Sequence, residues 1–161
     1  MDFPIHVRTK SAQETEKIGA ALGASYLEKV IDTIPHVIMC VGDLGSGKTT
    51  FVRGLARGMG VTTRLLSPTF IIVRRYRTPK VSPDSFLYHL DLYRTLGPSD
   101  AEGVGIAEML ADESSVTVIE WPDRLGSMNI EHPVLVVTLK TLADDQHDCT
   151  IEMKSWYENA H

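Results

Sequence analysis

A short glycine-rich stretch carries residue types whose spacing suits one kind of chemistry. The run Gly42-Asp43-Leu44-Gly45-Ser46-Gly47-Lys48-Thr49-Thr50 satisfies the pattern G-x-x-x-x-G-K-[ST] at every fixed position. Glycines let a backbone wrap closely around phosphate groups, and N–H groups at a helix N-terminus attract anions. Lys48 can then reach the β- and γ-phosphates, and the Thr49 hydroxyl can bind Mg²⁺. The stretch therefore predicts a nucleotide-binding loop.

The segments on either side of this loop are the ones that the pattern requires. Val37-Ile38-Met39-Cys40-Val41 is a continuous apolar run, which is typical of a buried parallel strand. After the loop, apolar residues recur at helical spacing from Val52 to Met59, and Gly60 is a stop signal. Strand, loop and helix thus follow one another in the order that positions the lysine and the threonine.

The rest of the chain alternates between strand and helix patterns. A helix is expected to start at the capping box Ser11–Glu14 and to run to about Val30, and a short helix covers Ile106–Leu110. The expected strands are Ile5–Thr9, Ile71–Arg77, Phe86–Arg94, Val116–Glu120, Val134–Lys140 and Cys149–Lys154. The second and third of them predict one hairpin, and the last two predict another, joined by 144–148. The sequence thus predicts an α/β fold, a three-layer P-loop sandwich with a mixed central sheet and antiparallel hairpins.

Two acidic residues are candidates to serve a metal ion near Thr49. Glu120 ends the apolar run Val116–Glu120, and ligands bind at the carboxyl ends of strands in open α/β sheets. Asp91 lies within an alternating strand, between His89 and Tyr93. Either carboxylate could bind the metal directly or hold a metal-bound water, because Mg²⁺ keeps several waters.

Three further positions have both a structural and a functional interpretation. Thr69 is either a turn hydroxyl beside Pro68 or a sensor of the γ-phosphate in a loop that phosphate can order. Trp121 is either a core or surface aromatic or a contact for nucleotide or partner. Ser11 and Thr15 either serve only the helix start or also touch the nucleotide.

Composition limits the classes of function. The chain has 161 residues, of which 43% are hydrophobic, so a single domain spanning 1–161 is expected. Sixteen Lys and Arg against 21 Asp and Glu give a net charge of −5, which argues against a strong autonomous grip on nucleic acid. Two cysteines are too few for a disulfide framework. Without a signal peptide or a long apolar span, we expect a cytoplasmic protein that has no membrane partner.

Four motifs occur in an order that resembles the bacterial TsaE (YjeE) family. They are GDLGSGKTT, SPTF, HLDLYR and IEWPDR, and the resemblance runs from about Ser11 to Arg124. The family comprises small ATPases of tRNA N6-threonylcarbamoyladenosine biosynthesis. The resemblance implies binding and hydrolysis of ATP with Mg²⁺, and binding to the TsaB–TsaD heterodimer. ATP hydrolysis would support repeated threonylcarbamoyl transfer to an adenosine beside the anticodon, with tRNA reached through the complex.

The resemblance also implies a role for individual residues. The catalytic positions would be Lys48, Thr69, Asp91 and Glu120, with Thr69 as the switch-like threonine and Asp91 as the Walker-B-type acid. The Mg²⁺ ligands would come from Thr49, Asp91 and Glu120. The nucleotide would contact Ser11, Thr15, Gly42, Asp43, Leu44, Gly45, Ser46, Gly47, Lys48, Thr49, Thr50 and Trp121. Ser46 stands where alanine is usual in the family, and its small size makes the exchange compatible with the loop.

Other nucleotide-dependent functions share the loop. A small P-loop kinase would transfer phosphate to an acceptor instead of to water. A nucleotide-gated scaffold would use binding more than turnover. A GTPase fits less well, because Asn129 and Asn159 are the only asparagines and neither begins an N-K-x-D segment. Turnover of ATP with and without TsaB–TsaD separates these functions.

Overall fold

The computed structural model describes residues 3–28, 34–68, 70–95, 103–126, 128, 130–142 and 146–156. Within these ranges seven strands form one sheet. The strands are β1 Ile5–Thr9, β2 Val37–Val41, β3 Val73–Arg77, β4 Phe86–Asp91, β5 Val116–Glu120, β6 Val134–Thr141 and β7 His147–Lys154. The helices are α1 Ala12–Leu27, α2 Lys48–Gly58, α3 Ile106–Ala111 and a 3₁₀-helix at Pro122–Leu125.

The sheet is mixed, as the sequence predicts, and the strand that precedes the glycine-rich loop lies at its centre. The spatial order is β1-β7-β6-β2-β5-β4-β3. Strand β2 is parallel to β5 and β6, and β4 is parallel to β5. The pairs β3–β4, β6–β7 and β1–β7 are antiparallel and extend the sheet on both sides. The predicted α/β class and both predicted hairpins are therefore confirmed.

Helices cover the two faces of the sheet, which explains why β2 is apolar throughout. Ile38 and Cys40 belong to a core shared with α1 and α2, whereas Val37 and Met39 belong to a second core shared with α3 and the 3₁₀-helix. Strands buried on both faces have continuous apolar runs, since no side chain reaches water. The sheet, with helices packed on each of its faces, therefore forms the three-layer arrangement that the sequence predicts.

Helices α1 and α2 pack with their backbones in contact. A Cβ atom at Gly19 or Gly23 of α1 would collide with the carbonyl oxygen of Phe51 or Leu55 in α2. In return, a Cβ atom at Gly54 would collide with the carbonyl oxygen of Glu16. Only glycine permits this close approach of two backbones. The contact fixes the N-terminus of α1 beside the start of α2, where the glycine-rich loop lies.

The start of α1 confirms the predicted capping chemistry. The Ser11 hydroxyl accepts a hydrogen bond from the Glu14 N–H at 3.2 Å, as an N-cap residue does. The Glu14 carboxylate accepts from the Lys10 N–H at 2.7 Å, which ties the preceding residue to the first turn. The helix is described to Leu27, and Val30, its predicted end, lies outside the described residues.

Four predicted strand boundaries were wrong, one of them by a single residue, since β6 ends at Thr141 and not at Lys140. Strand β3 begins at Val73 and not at Ile71, because Ile72 has a positive φ of 67°, which breaks an extended backbone. Strand β4 ends at Asp91 and not at Arg94, since the Asp91 carboxylate accepts the Tyr93 N–H at 3.0 Å and turns the chain. Strand β7 already begins at His147 and not at Cys149, because His147 pairs with Thr141 of β6.

The two cysteines lie in the interior, and the helices of the described ranges are short. Cys40 and Cys149 are both buried and free. Burial raises the pKa of the Cys149 thiol to about 11 and that of Cys40 well above its ordinary value. The longest described helix, α1, has 16 residues, and none of the helices in the described ranges has the length and apolar character needed to cross a membrane.

Candidate nucleotide-binding site

The glycine-rich loop connects the end of β2 to the start of α2. Gly42, Gly45 and Gly47 all have positive φ, with values of 151°, 80° and 99°, a region that L side chains disfavour. Gly47 is the N-cap of α2 and supplies no side-chain cap. The first backbone N–H groups of a helix lack intrahelical acceptors, and the helix dipole adds partial positive charge there. The loop therefore presents free donors to an anion.

Lys48 holds its ammonium group over this loop. Its Nζ donates to the carbonyl oxygens of Gly42 at 2.6 Å and Asp43 at 2.7 Å. It also lies 4.1 Å from the centroid of the Trp121 ring, within the range of a cation–π contact. Burial lowers the pKa of Lys48, and the nearby carboxylate of Glu120 opposes that shift. The lysine thus brings a cation to a buried position beside the loop.

Thr49 and the two predicted acids meet beside the lysine. The Thr49 hydroxyl donates to both carboxylate oxygens of Glu120, at 2.9 and 3.0 Å. Glu120 and Asp91 are register partners on the parallel strands β5 and β4, and both are buried. The donor set of one hydroxyl and two carboxylates consists of oxygens, which Mg²⁺ prefers. The described residues contain no cluster of three or more His, Cys, Asp or Glu side chains that could hold a metal. A Mg²⁺ ion that keeps its waters and binds a phosphate fits this set.

These residues line a cavity of about 530 Å³. Its wall also includes Trp121 and, from the loop and the start of α2, Leu44, Gly45, Gly47, Lys48, Thr49 and Thr50, together with Asp91 and Glu120. The wall also contains two cationic side chains, Arg53 and Arg94, which the sequence patterns above did not identify as site residues. Arg53 follows Thr49 by four residues in α2, so helical spacing alone places the two side chains on one face and could have identified it.

Trp121 forms one side of the cavity. Its φ of 61° is unusual for a residue with a side chain, and it directly precedes the 3₁₀-helix. The indole contacts the Tyr93 ring, with 5.0 Å between centroids, in addition to the Lys48 ammonium. Trp121 also packs against the second core, so the structure is compatible with both interpretations that the sequence leaves open.

Five residues form a set that we call the mouth: three of them line the cavity, and Phe70, which contacts Arg94, is followed in the chain by Ile71. Phe70 is 82% exposed, Leu44 is 74% exposed and Ile71 is 51% exposed. The Arg94 guanidinium lies 4.6 Å from the centroid of the Phe70 ring. The mouth comprises Leu44, Phe70, Ile71, Tyr93 and Arg94. The exposed side chains of Phe70 and Ile71 are candidates for contact with another molecule.

Among the described residues, five predicted nucleotide contacts lie outside the cavity wall: Ser11, Thr15, Gly42, Asp43 and Ser46. Thr15 is buried, its hydroxyl lies 2.9 Å from the Thr9 hydroxyl, and its methyl group is close to Gly47. Ser11 caps α1. Ser46 is fully buried in the loop, and its hydroxyl has no hydrogen-bond partner among the residues described. Thr69 lies outside the described residues, so its predicted role as a sensor stays a prediction.

Fold and cavity together define a class of protein. A central parallel strand leads through a glycine-rich loop into a helix, and lysine, threonine and two acids meet in one cavity, as in P-loop NTPase-like proteins. The sequence model of the family described as threonylcarbamoyl adenosine biosynthesis protein TsaE matches residues 9–150. The chain belongs to the TsaE family.

Individual relatives support this assignment. The tRNA threonylcarbamoyladenosine biosynthesis protein TsaE of Treponema pallidum is 34% identical over 89% of this chain and 96% of its own length. The protein of that name in Bacillus subtilis is 34% identical over 89% of this chain and 82% of its own. The one in Synechocystis sp. is 45% identical, over 57% of each chain. The crystal structure of Bacillus subtilis YdiB superimposes with a TM-score of 0.67 at 29% identity, covering 98% of this chain and 91% of that one.

Proposed function

We propose that this protein binds and hydrolyses ATP with Mg²⁺ and thereby supports formation of N6-threonylcarbamoyladenosine in tRNA by the TsaB–TsaD heterodimer. Membership of the TsaE family supports the link to this modification. The nucleotide chemistry is supported above all by one observation. Lys48, Thr49, Glu120 and Asp91 line a single cavity at the N-terminus of α2.

Each residue has a distinct task in this proposal. The backbone N–H groups of the loop bind the phosphates, and the Lys48 ammonium neutralises charge on the β- and γ-phosphates. The Thr49 hydroxyl and the Glu120 carboxylate hold the metal, while Asp91 binds it or holds one of its waters. Bound Mg²⁺ supplies further neutralisation of phosphate charge. Catalysis of phosphoryl transfer depends mainly on such positioning and charge stabilisation.

Adenine is the base that we propose for the nucleotide. An N-K-x-D segment, which would read guanine, is missing from the sequence, because Asn129 is followed by Ile130 and Asn159 by Ala160. The exposed Leu44 and the half-buried Trp121 offer apolar surface near the loop, which suits a planar base. We therefore expect ATP to bind more tightly than GTP.

The mouth is proposed to be the surface that TsaB–TsaD covers. Phe70 is 82% exposed and contacts Arg94 of the cavity wall, and the next residue in the chain, Ile71, is 51% exposed. A partner that buries them would gain hydrophobic free energy and exclude water from the phosphates. We therefore expect the free protein to hydrolyse ATP slowly and the partner to accelerate hydrolysis. In this arrangement tRNA is reached through the complex, in agreement with the net charge of −5.

The test measures release of inorganic phosphate from ATP by the free protein and by its mixture with TsaB–TsaD. We expect slow release that rises with the partner, and a loss of about 10²-fold in Lys48→Ala, the size found when one charge-stabilising donor is removed. Equal rates for Lys48→Ala and the parent in the complex would overturn the proposal. Phosphate found on an acceptor, and not free in solution, would indicate a kinase.

A further inference from the structure

His89 lies inside β4 and is completely buried. Its Nε2 is 2.8 Å from Oε1 of Glu120 on the neighbouring strand β5. Its other ring nitrogen, Nδ1, is also buried and has no hydrogen-bond partner in the described part of the chain. The hydrogen bond to Glu120 is therefore the polar contact that the structure gives to this imidazole.

The direction of this hydrogen bond follows from the partners. A carboxylate has no proton to donate, so the hydrogen must be carried by Nε2 of His89 and accepted by Oε1 of Glu120. A neutral ring protonated at Nε2 then leaves only a lone pair on Nδ1. The alternative, an N–H group at Nδ1 with no acceptor, would bury an unsatisfied donor at a cost. The geometry thus selects the tautomer with hydrogen on Nε2.

His89 does not belong to the cavity wall, whereas Glu120 and Asp91 do. The imidazole consequently acts from behind the carboxylate and does not contact a bound molecule. It supplies a donor from within the sheet to one oxygen of Glu120, and the Thr49 hydroxyl contacts both oxygens from the side of α2. Two neighbouring elements thus hold one carboxylate, which leaves it little rotational freedom.

We propose that His89 is the positioning residue for the Glu120 carboxylate, fixing its orientation for a divalent cation. This inference rests on the proposed function, in which that cation is the Mg²⁺ that accompanies ATP. Groups that hydrogen-bond to metal ligands orient them in advance, and their removal costs about 10- to 100-fold in metal affinity. Since β4 and β5 are paired in parallel around His89 and Glu120, the sheet itself sets this contact.

The test compares His89→Leu with His89→Gln. Leucine has a similar size but no donor, whereas glutamine can place an N–H group close to where Nε2 lies. His89→Asn is a third variant, polar like glutamine but with an amide too short to reach Glu120. Two affinities are measured for each folded variant: that for ATP in excess EDTA, and that for Mg²⁺ at saturating ATP.

We expect His89→Leu and His89→Asn to weaken Mg²⁺ binding about 10- to 100-fold with metal-free ATP affinity unchanged, and His89→Gln to restore most of the loss. Unchanged Mg²⁺ affinity in His89→Leu, or in His89→Asn if the leucine variant does not fold, would overturn the inference. A glutamine variant as weak as the asparagine variant would also overturn it.

A second readout needs neither nucleotide nor metal. A long-range ¹H–¹⁵N NMR spectrum of the imidazole groups, assigned by the signal lost in His89→Gln, reports which nitrogen carries hydrogen. We expect hydrogen on Nε2, and hydrogen on Nδ1 alone would contradict the inference. If the parent protein binds ATP and Mg²⁺ and the variants bind Mg²⁺ equally tightly, only the positioning role fails. If the parent protein binds neither, the proposed function fails and the role in metal binding fails with it.

Discussion

The two sides of the cavity are built in different ways. On the side of the loop, α1 and α2 touch backbone to backbone, and Gly19 and Gly54 leave no room for a Cβ atom. On the side of the mouth, Phe70 is 82% exposed, and its ring contacts the Arg94 guanidinium. One side is therefore fixed by the packing of the main chain, and the other presents apolar side chains to water.

This difference suggests a division of labour. Close packing of helices resists movement, so the loop and the N-terminus of α2 are already in place for phosphate. Exposed apolar side chains contribute little to stability until something covers them. We infer that binding of the phosphates is a property of this chain alone, whereas fast hydrolysis depends on a partner that covers the mouth.

The largest expected effect concerns the packing of the helices. Gly54→Val should lower the free energy of unfolding by about 3 kcal/mol or more, because the new side chain would force α2 away from the Glu16 carbonyl group. Arg53→Ala, on the exposed side of the same helix, is the control and should change stability by less than about 0.5 kcal/mol. Urea unfolding measures both. Similar stability for the two variants would show that the glycine contact is dispensable.

The next effect concerns the two acids. Glu120→Gln and Asp91→Asn should each reduce Mg²⁺-dependent hydrolysis in the complex by about 10²-fold, as loss of one group that stabilises transition-state charge does. The double variant should lose less than the product of the two, because neighbours in one network couple. Glu108→Gln, on the exposed surface of α3, is the control. Effects that simply add in the double variant would contradict a shared metal site. A parental Mg²⁺ dependence in either single variant would exclude the substituted acid from the site.

A smaller effect is expected at the mouth. Phe70→Ser should leave the unfolding free energy within about 0.5 kcal/mol of the parent, since the ring is already in water. It should nevertheless weaken binding to TsaB–TsaD by about tenfold or more, as truncation of an interface anchor does. Met153→Ser, an exposed position on β7, is the matched control and should change neither quantity. Parental affinity of Phe70→Ser for the partner would exclude this ring from the interface.

The smallest effect concerns Ser46, whose buried hydroxyl has no partner among the described residues. Ser46→Ala should stabilise the protein by about 1 kcal/mol, because it removes an unsatisfied polar group. Affinity for ATP should not change, since Ser46 is not part of the cavity wall. Thermal unfolding and a nucleotide titration check the two statements. A loss of ATP affinity would show that this hydroxyl serves the nucleotide after all.

Local patterns were sufficient to predict most of the fold. Strands β1, β2 and β5 have the predicted bounds, because continuous apolar runs and strand alternation are properties of a few neighbouring residues. The juxtaposition of Thr49 with Glu120 also follows from a general rule, since ligand sites lie at the carboxyl ends of parallel strands. What the sequence predicted well is therefore what short segments determine by themselves.

The features that the sequence did not reveal depend on which elements become neighbours. The contact of His89 with Glu120 requires β4 to lie beside β5 in one register, and residues 31 positions apart carry no local sign of that. The helix contact has a signal that could have been used, because glycines recur four residues apart in both α1 and α2. The sequence predicts a strand from Ile71 because isoleucine and valine favour strands. The positive φ of Ile72 shows that the position in the fold overrides this propensity.

Calorimetric titration of the free protein with ATP and Mg²⁺ tests the central claim most directly. The claim is that the cavity around Lys48 binds this nucleotide without help from a partner. We predict that the parent protein binds ATP, that Mg²⁺ tightens the binding, that GTP binds more weakly, and that Lys48→Ala binds ATP at least about tenfold more weakly. Unchanged ATP affinity in a folded Lys48→Ala variant, or tighter binding of GTP, would contradict the account.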